Sequence, residues 1–162
     1  MTIVWIRGVE NSKMVPENLR IKMESFGEPL DLATPGTPGF EYYKLKPEQG
    51  DPEFVKKHYN AFTVPELKEY LHANEIENIV FTGVFTGRCV FFSVVGASST
   101  ESTRPNKNYN CIVAQDLVSS ATQQAEESAK ALGVMNSLTA FVVPSTKIVD
   151  VWKSMEKVKV AR

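Results

Sequence analysis

Three short apolar runs, Ile79–Phe81 (IVF), Cys111–Ala114 (CIVA) and Thr139–Val143 (TAFVV), constrain this chain more than any other feature. Runs apolar at nearly every position suit strands covered on both faces, which is the habit of parallel sheets. Between them lie stretches long enough for helices. Cys89–Val95 reads as an apolar helix, and Ser119 or Ser120 caps a helix running to about Leu132, with Gly133 as its terminator. A last helix starts at about Ser145. Strand and helix in alternation imply an α/β domain: a doubly wound, mostly parallel sheet with helices on both faces.

The first half is less regular. Thr2–Ile6 (TIVWI) reads as a strand, and from Asn11 to about Gly50 the periodicity weakens among Pro16, Pro29, Pro35 and Pro38 with Gly27, Gly36 and Gly39. Leu30-Asp31-Leu32 has no clear period, so this long excursion is expected to be irregular, with one short helix near Glu17–Met23. Regularity returns after Pro47. Glu53–Lys57 is a candidate strand, and Thr63-Val64-Pro65-Glu66 has the form of a capping box ahead of a helix whose apolar face is Leu67, Tyr70 and Leu71. A chain of 162 residues favours one domain over 1–162.

Composition excludes several function classes. A net charge of -1 with scattered Lys and Arg gives no basic stripe for nucleic acid or acidic membranes. No apolar run nears the roughly 20 residues that span a bilayer, and no secretory leader is visible. Two cysteines, Cys89 and Cys111, are too few for a disulfide framework, so a reducing cytoplasm is expected. His58 and His72 are the only histidines, Val9–Arg20 contains none, and no phosphate-binding glycine motif occurs. No metal or cofactor is expected.

The chemistry concentrates in Thr82-Gly83-Val84-Phe85-Thr86-Gly87-Arg88-Cys89-Val90, which joins a buried strand to an apolar helix. Ligands of doubly wound sheets bind beyond the carboxyl ends of strands, where this segment lies. A cysteine near a helix N-terminus is favoured as thiolate by the positive end of the macrodipole. Nearby backbone N–H groups suit the oxyanion formed when a thiolate attacks a carbonyl. Composition alone favours a plainer role for Cys89, that of a small core residue.

Thr82-Gly83-Val84-x-Thr86-x-x-Cys89-Val90 resembles the nucleophile loop of isochorismatase-like hydrolases, TGV-x-T-x-x-CV. Upstream, Lys56-Lys57-His58-Tyr59-Asn60-Ala61-Phe62 is similar to their K-x-x-Y-S-A-F stretch, and Val64, Leu67 and Leu71 fit the helix that follows it. Ile76–Phe81 matches the lead-in strand, and Val113-Ala114-Gln115-Asp116 resembles a strand-end aspartate motif, so the likeness runs from about Phe40 to Val143. It implies a Rossmann-like three-layer fold and a hydrolase cleaving a small-molecule amide or a vinyl ether of the isochorismate type. Cys89 would be its nucleophile and Lys56 its charge-stabilising lysine. The N–H groups of Phe85 and Cys89 would receive the oxyanion, with a cis peptide at Val84–Phe85. Tyr59, Phe62 and Arg88 are candidates for the substrate pocket, though the two aromatics equally suit plain core and Arg88 equally suits solvent. The resemblance also implies a homo-oligomer, dimer or tetramer.

The sequence departs from the pattern in places. Asn60 stands for serine, Gly87-Arg88 precedes the cysteine, and Ser98–Asn110 is a longer polar loop. The family's leading strand with its acidic residue has no counterpart before Thr2–Ile6, so the expectation is either a chain shortened relative to its relatives or another segment or chain filling the place. Asp31, Asp51 and Glu28 are candidate substitutes, though as loop carboxylates each also suits plain solvation. Without an acid, a non-catalytic binding or oligomerisation module of the same fold is the alternative.

Overall fold

The computed structural model describes residues 2–9, 13, 15–25, 27, 31 and 33–160, the last five by backbone alone. Its contacts cluster into two compact units, Met1–Glu69 and Tyr70–Arg162.

In the first unit, strand β1 (Trp5–Gly8) pairs in parallel with β2 (Glu53–Lys56) after a crossover that contains helix α1 (Glu17–Ser25). Trp5 lies opposite Glu53 and Gly8 opposite Lys56. The strand begins later than Thr2 because its ladder starts with the Trp5 N–H, which donates to the Pro52 carbonyl at 2.9 Å. Arg7 ties the irregular segment to this sheet. Its guanidinium lies 4.1 Å from the centre of the Phe40 ring and 4.8 Å from that of Tyr42, pairs with Glu53, and donates to the Phe40 carbonyl. Trp5 meets Tyr42 edge-on at 5.3 Å and donates to Asp51 at 2.8 Å. Burial, then the Glu53 carboxylate, pushes the Tyr42 phenol up to about 12.

Helix α2 (Pro65–Ala73) starts at proline, as expected, and buries Leu67 and Leu71. Thr63 is not its cap. The chain first makes a 3₁₀ turn over Ala61–Thr63, and the Thr63 hydroxyl donates back to the Asn60 carbonyl at 2.8 Å. Asn60 Oδ1 accepts from the Phe62 N–H and caps that turn instead.

In the second unit, β3 (Asn78–Val84), β4 (Asn110–Ser119) and β5 (Phe141–Val143) form a parallel sheet in the order β3-β4-β5. Among the described residues, β1 has no strand partner besides β2 and β3 none besides β4. Val113 and Ala114 of β4, Val94 and Ala97 of helix α3 (Phe91–Ser98), and Met135 of helix α4 (Ala125–Leu138) are its core. Helix α5 (Ser145–Val160) follows β5.

Two boundaries depart from the sequence expectation. Ser119 does not cap a helix, because β4 continues to it, and α4 starts only at Ala125 after a 3₁₀ turn over Thr122–Gln124. Nor does Gly133 stop α4. Ala131 and Met135, four apart, are both buried, and closing over them carries the helix to Leu138. Burying a methionine side chain contributes roughly 1.5–3 kcal/mol, against about 1 kcal/mol lost by a mid-helix glycine. A Cβ at Gly133 would meet nothing within 4 Å. Gly133→Ala is therefore expected to stabilise the protein by about 0.5–1 kcal/mol, raising Tm by roughly 2–4 °C in thermal denaturation. An unchanged or lower Tm refutes this account.

Candidate active site

Cys89 lies on the turn between the carboxyl end of β3 and α3. Gly83, at φ +109, brings β3 to its end in a conformation that side chains strain to adopt. The Val84–Phe85 peptide is cis, as the motif implied. Residues Thr86–Val90 then form a single π-helical turn, so α3 proper begins at Phe91 rather than at Cys89. The Phe85 carbonyl accepts from both the Arg88 N–H at 3.0 Å and the Val90 N–H at 3.1 Å. Wide turns of this kind are frequent at functional sites. Phe85, Arg88 and Cys89 thus share one turn, with Arg88 and Cys89 half-buried.

This turn is held from outside. Thr86 is 1% exposed, and its N–H donates to Ser120 Oγ at 3.0 Å. Glu127 of α4 lies over Gly87, where an added Cβ would fall 3.0 Å from the glutamate Cγ. Neither Ser120 in this role nor Glu127 stands out in the sequence, since both act through folding contacts rather than motif spacing.

The two thiols differ. Cys111 is buried in β4 with Sγ near the Val94 and Tyr109 carbonyls, and burial pushes its pKa up to about 11. Cys89 is partly exposed at the start of a helix.

Lys56, Tyr59 and Phe62 belong to the segment from β2 to α2. The strand ends between the two lysines: Lys56, its last residue, is 5% exposed, and Lys57, just past it, is exposed. The Lys56 ammonium donates to the His58 carbonyl at 2.9 Å and lies beside Gly8, 3.4 Å from where a Cβ would stand. Phe62 is buried next to Ala61, and Tyr59 is half-buried. Of the candidate carboxylates, Asp51 accepts from Trp5, Asp31 is exposed on a loop at φ +69, and Glu28 lies outside the described residues. Among the described residues, no three His, Cys, Asp or Glu side chains gather to hold a metal ion, and no helix is long and apolar enough to cross a membrane.

A family model for the isochorismatase domain matches residues 1–147. The chain belongs to the isochorismatase-domain family. Solved structures share its fold. An isochorismatase-like hydrolase from Alkaliphilus metalliredigens matches with a TM-score of 0.75 at 23% identity, over 93% of this chain and 73% of that one. N-carbamoylsarcosine amidase from Thermoplasma acidophilum matches with a TM-score of 0.68 at 22% identity, over 90% and 73%. Nicotinamidase/pyrazinamidase from Bacillus subtilis matches with a TM-score of 0.67 at 22% identity, over 88% and 74%. The fold is thus the isochorismatase-like, Rossmann-like class that the resemblance implied, and the parallel α/β arrangement that the alternation of strands and helices implied.

Asp116, which matches the family's strand-end aspartate, has a structural task. Its carboxylate accepts from the backbone N–H and the hydroxyl of Ser145, both at 2.6 Å, and so caps the first turn of α5. The Ser145 hydroxyl, then its backbone N–H, holds the Asp116 pKa below the usual aspartate value. A carboxylate with a lowered folded pKa contributes stability above its unfolded value of about 3.9, and loses it as pH falls through the folded value. Asp116→Asn should therefore flatten the fall in stability below about pH 4, measured by denaturant melts across pH. Parallel acid profiles for variant and wild type would rule the cap out as a titrating contact.

Proposed function

We propose that this protein is a cysteine hydrolase of a small-molecule amide. The observation that carries this reading is Cys89: a partly exposed thiol on a turn at the carboxyl end of β3, at the start of a helix, within the family's nucleophile motif. The thiolate attacks the amide carbonyl carbon, forming a C–S bond and placing negative charge on the oxygen. The N–H groups of Phe85 and Cys89 are assigned to that oxyanion. Collapse breaks the C–N bond, the amine leaves with a proton, and water hydrolyses the thioester to acid and free thiol. Lys56 is assigned the charge-stabilising role, because it matches the family's lysine and faces inward while Lys57 does not. Arg88, Tyr59 and Phe62 are assigned to substrate binding, Arg88 by its capacity for bidentate contact with a carboxylate. The amidases among the structural neighbours support an amide over a vinyl ether.

We also assign the protein to the cytoplasm, on its two unbridged cysteines, and to a dimer or tetramer, on the exposed Leu138, Phe141, Trp152 and Met155. A clean monomer in size-exclusion chromatography refutes the oligomer.

The functional test has two parts. Iodoacetamide at neutral pH should add one group to the native protein, at Cys89, with Cys111 reacting only after unfolding. Kinetics on a panel of nicotinamide, N-carbamoyl compounds and isochorismate should show at least a 10³-fold loss of kcat, an order-of-magnitude expectation, for Cys89→Ala, and a large loss for Lys56→Met. Cleavage of isochorismate alone would replace the amide assignment. Binding without turnover by the wild type would favour the non-catalytic module, and an inert Cys89 defeats the hydrolase reading.

A further inference from the structure

We infer that Ser120 and Glu127 are positioning residues for the Cys89 turn, an inference that rests on the hydrolase reading above. Both belong to the stretch where β4 passes into α4, and each holds one of two consecutive residues of the turn. Ser120 takes the Thr86 N–H at 3.0 Å. That donor opens a helical turn, so no carbonyl of its own helix is placed to accept from it, and Thr86 is 1% exposed, which shuts water out. Without the Ser120 hydroxyl the amide would be left buried and unsatisfied, and the Phe85–Thr86 peptide would lose the hydrogen bond that orients its N–H side.

Glu127 acts on the next residue. A Cβ at Gly87 would fall 3.0 Å from Glu127 Cγ and 3.2 Å from both Cδ and Oε1, so the whole end of the glutamate packs on the bare glycine backbone. Its neighbour behaves differently. Glu126 turns along the helix to pair with Lys130 at 2.6 Å. Of two adjacent acids on α4, one makes an ordinary i,i+4 surface pair, and the other covers the turn that carries the nucleophile. Glycine at 87 is what leaves room for it. Fixing Thr86 and Gly87 fixes the direction of the N–H groups that follow, and with them the surroundings of the Cys89 sulfur. The hydrogen bond orients the peptide, and the glutamate keeps it from swinging outward.

The test reads Cys89 directly, by the rate of iodoacetamide alkylation, and pairs it with the kcat and KM of the best substrate. Ser120→Ala and Glu127→Ala should each slow alkylation about fivefold and lower kcat at little-changed KM, the scale expected for one lost hydrogen bond or packing contact. Ser120→Thr keeps the hydroxyl and Glu127→Gln keeps the packed atoms, so both should stay within about twofold of wild type. Gly87→Ala should mimic Glu127→Ala, and the double variant should be no slower than either single one, as expected for residues in contact. Glu127 is exposed on α4, so its variants keep the fold even if Ser120→Ala does not. A reactive wild-type Cys89 with unchanged rates in the Glu127→Ala and Gly87→Ala proteins overturns this inference alone. A wild-type Cys89 that does not react overturns the hydrolase reading and this inference together.

Discussion

One carbonyl sets the geometry of the candidate site. The oxygen of Phe85 accepts from the N–H groups of both Arg88 and Val90, and so forces the chain into a wide turn before α3 begins. Had an ordinary helix begun at Cys89, the cysteine would have opened α3 directly. Instead it sits within a separate turn, ahead of a helix whose Val94 and Ala97 are packed in the core. The position of Cys89 therefore follows from the backbone path that leaves the sheet after Val84.

The sheet supplies the other half of that arrangement. Phe81 pairs with Val113, but Gly83 pairs with Val118, so β4 gains three extra residues where β3 gains none. The slip lies near the strands' carboxyl ends. It carries Ser119 into the ladder opposite Val84 and leaves Ser120 just beyond it, against Thr86. A register irregularity thus delivers the hydroxyl that the buried amide needs, and irregularities of this kind commonly re-aim groups beside active sites.

Much of this was legible in the sequence. The apolar runs marked all three strands of the second unit, although only β4, with Cys111, Val113 and Ala114, buries its residues, while Val80 of β3 and Phe141 of β5 are exposed. Proline marked the start of α2, and the motif spacing back from Phe62 singled out Lys56 over Lys57, of which only Lys56 is buried. The loop that carries Cys89 was legible because its glycine, threonine and cysteine occur at the spacing of the family motif. Other features were hidden for physical reasons. Gly133 looks like a helix stop, and only tertiary burial of Met135 shows why the helix runs through it. The serines at 119 and 120 look like caps, and only the slip in strand pairing gives them to the sheet and the turn. Thr63 looks like the cap of α2, and only the structure shows it inside a 3₁₀ turn that Asn60 caps.

The arginine at position 7 has a consequence for how the protein can diverge. A flat cation stacked near two rings, while also serving an acid and a carbonyl, does what the round ammonium of lysine does not. Exchange for lysine there would cut the irregular segment loose from its strand without changing net charge. The rings at 40 and 42 and the cation at 7 are thereby tied to one another, since a change at any of the three removes a contact that holds the segment to its strand.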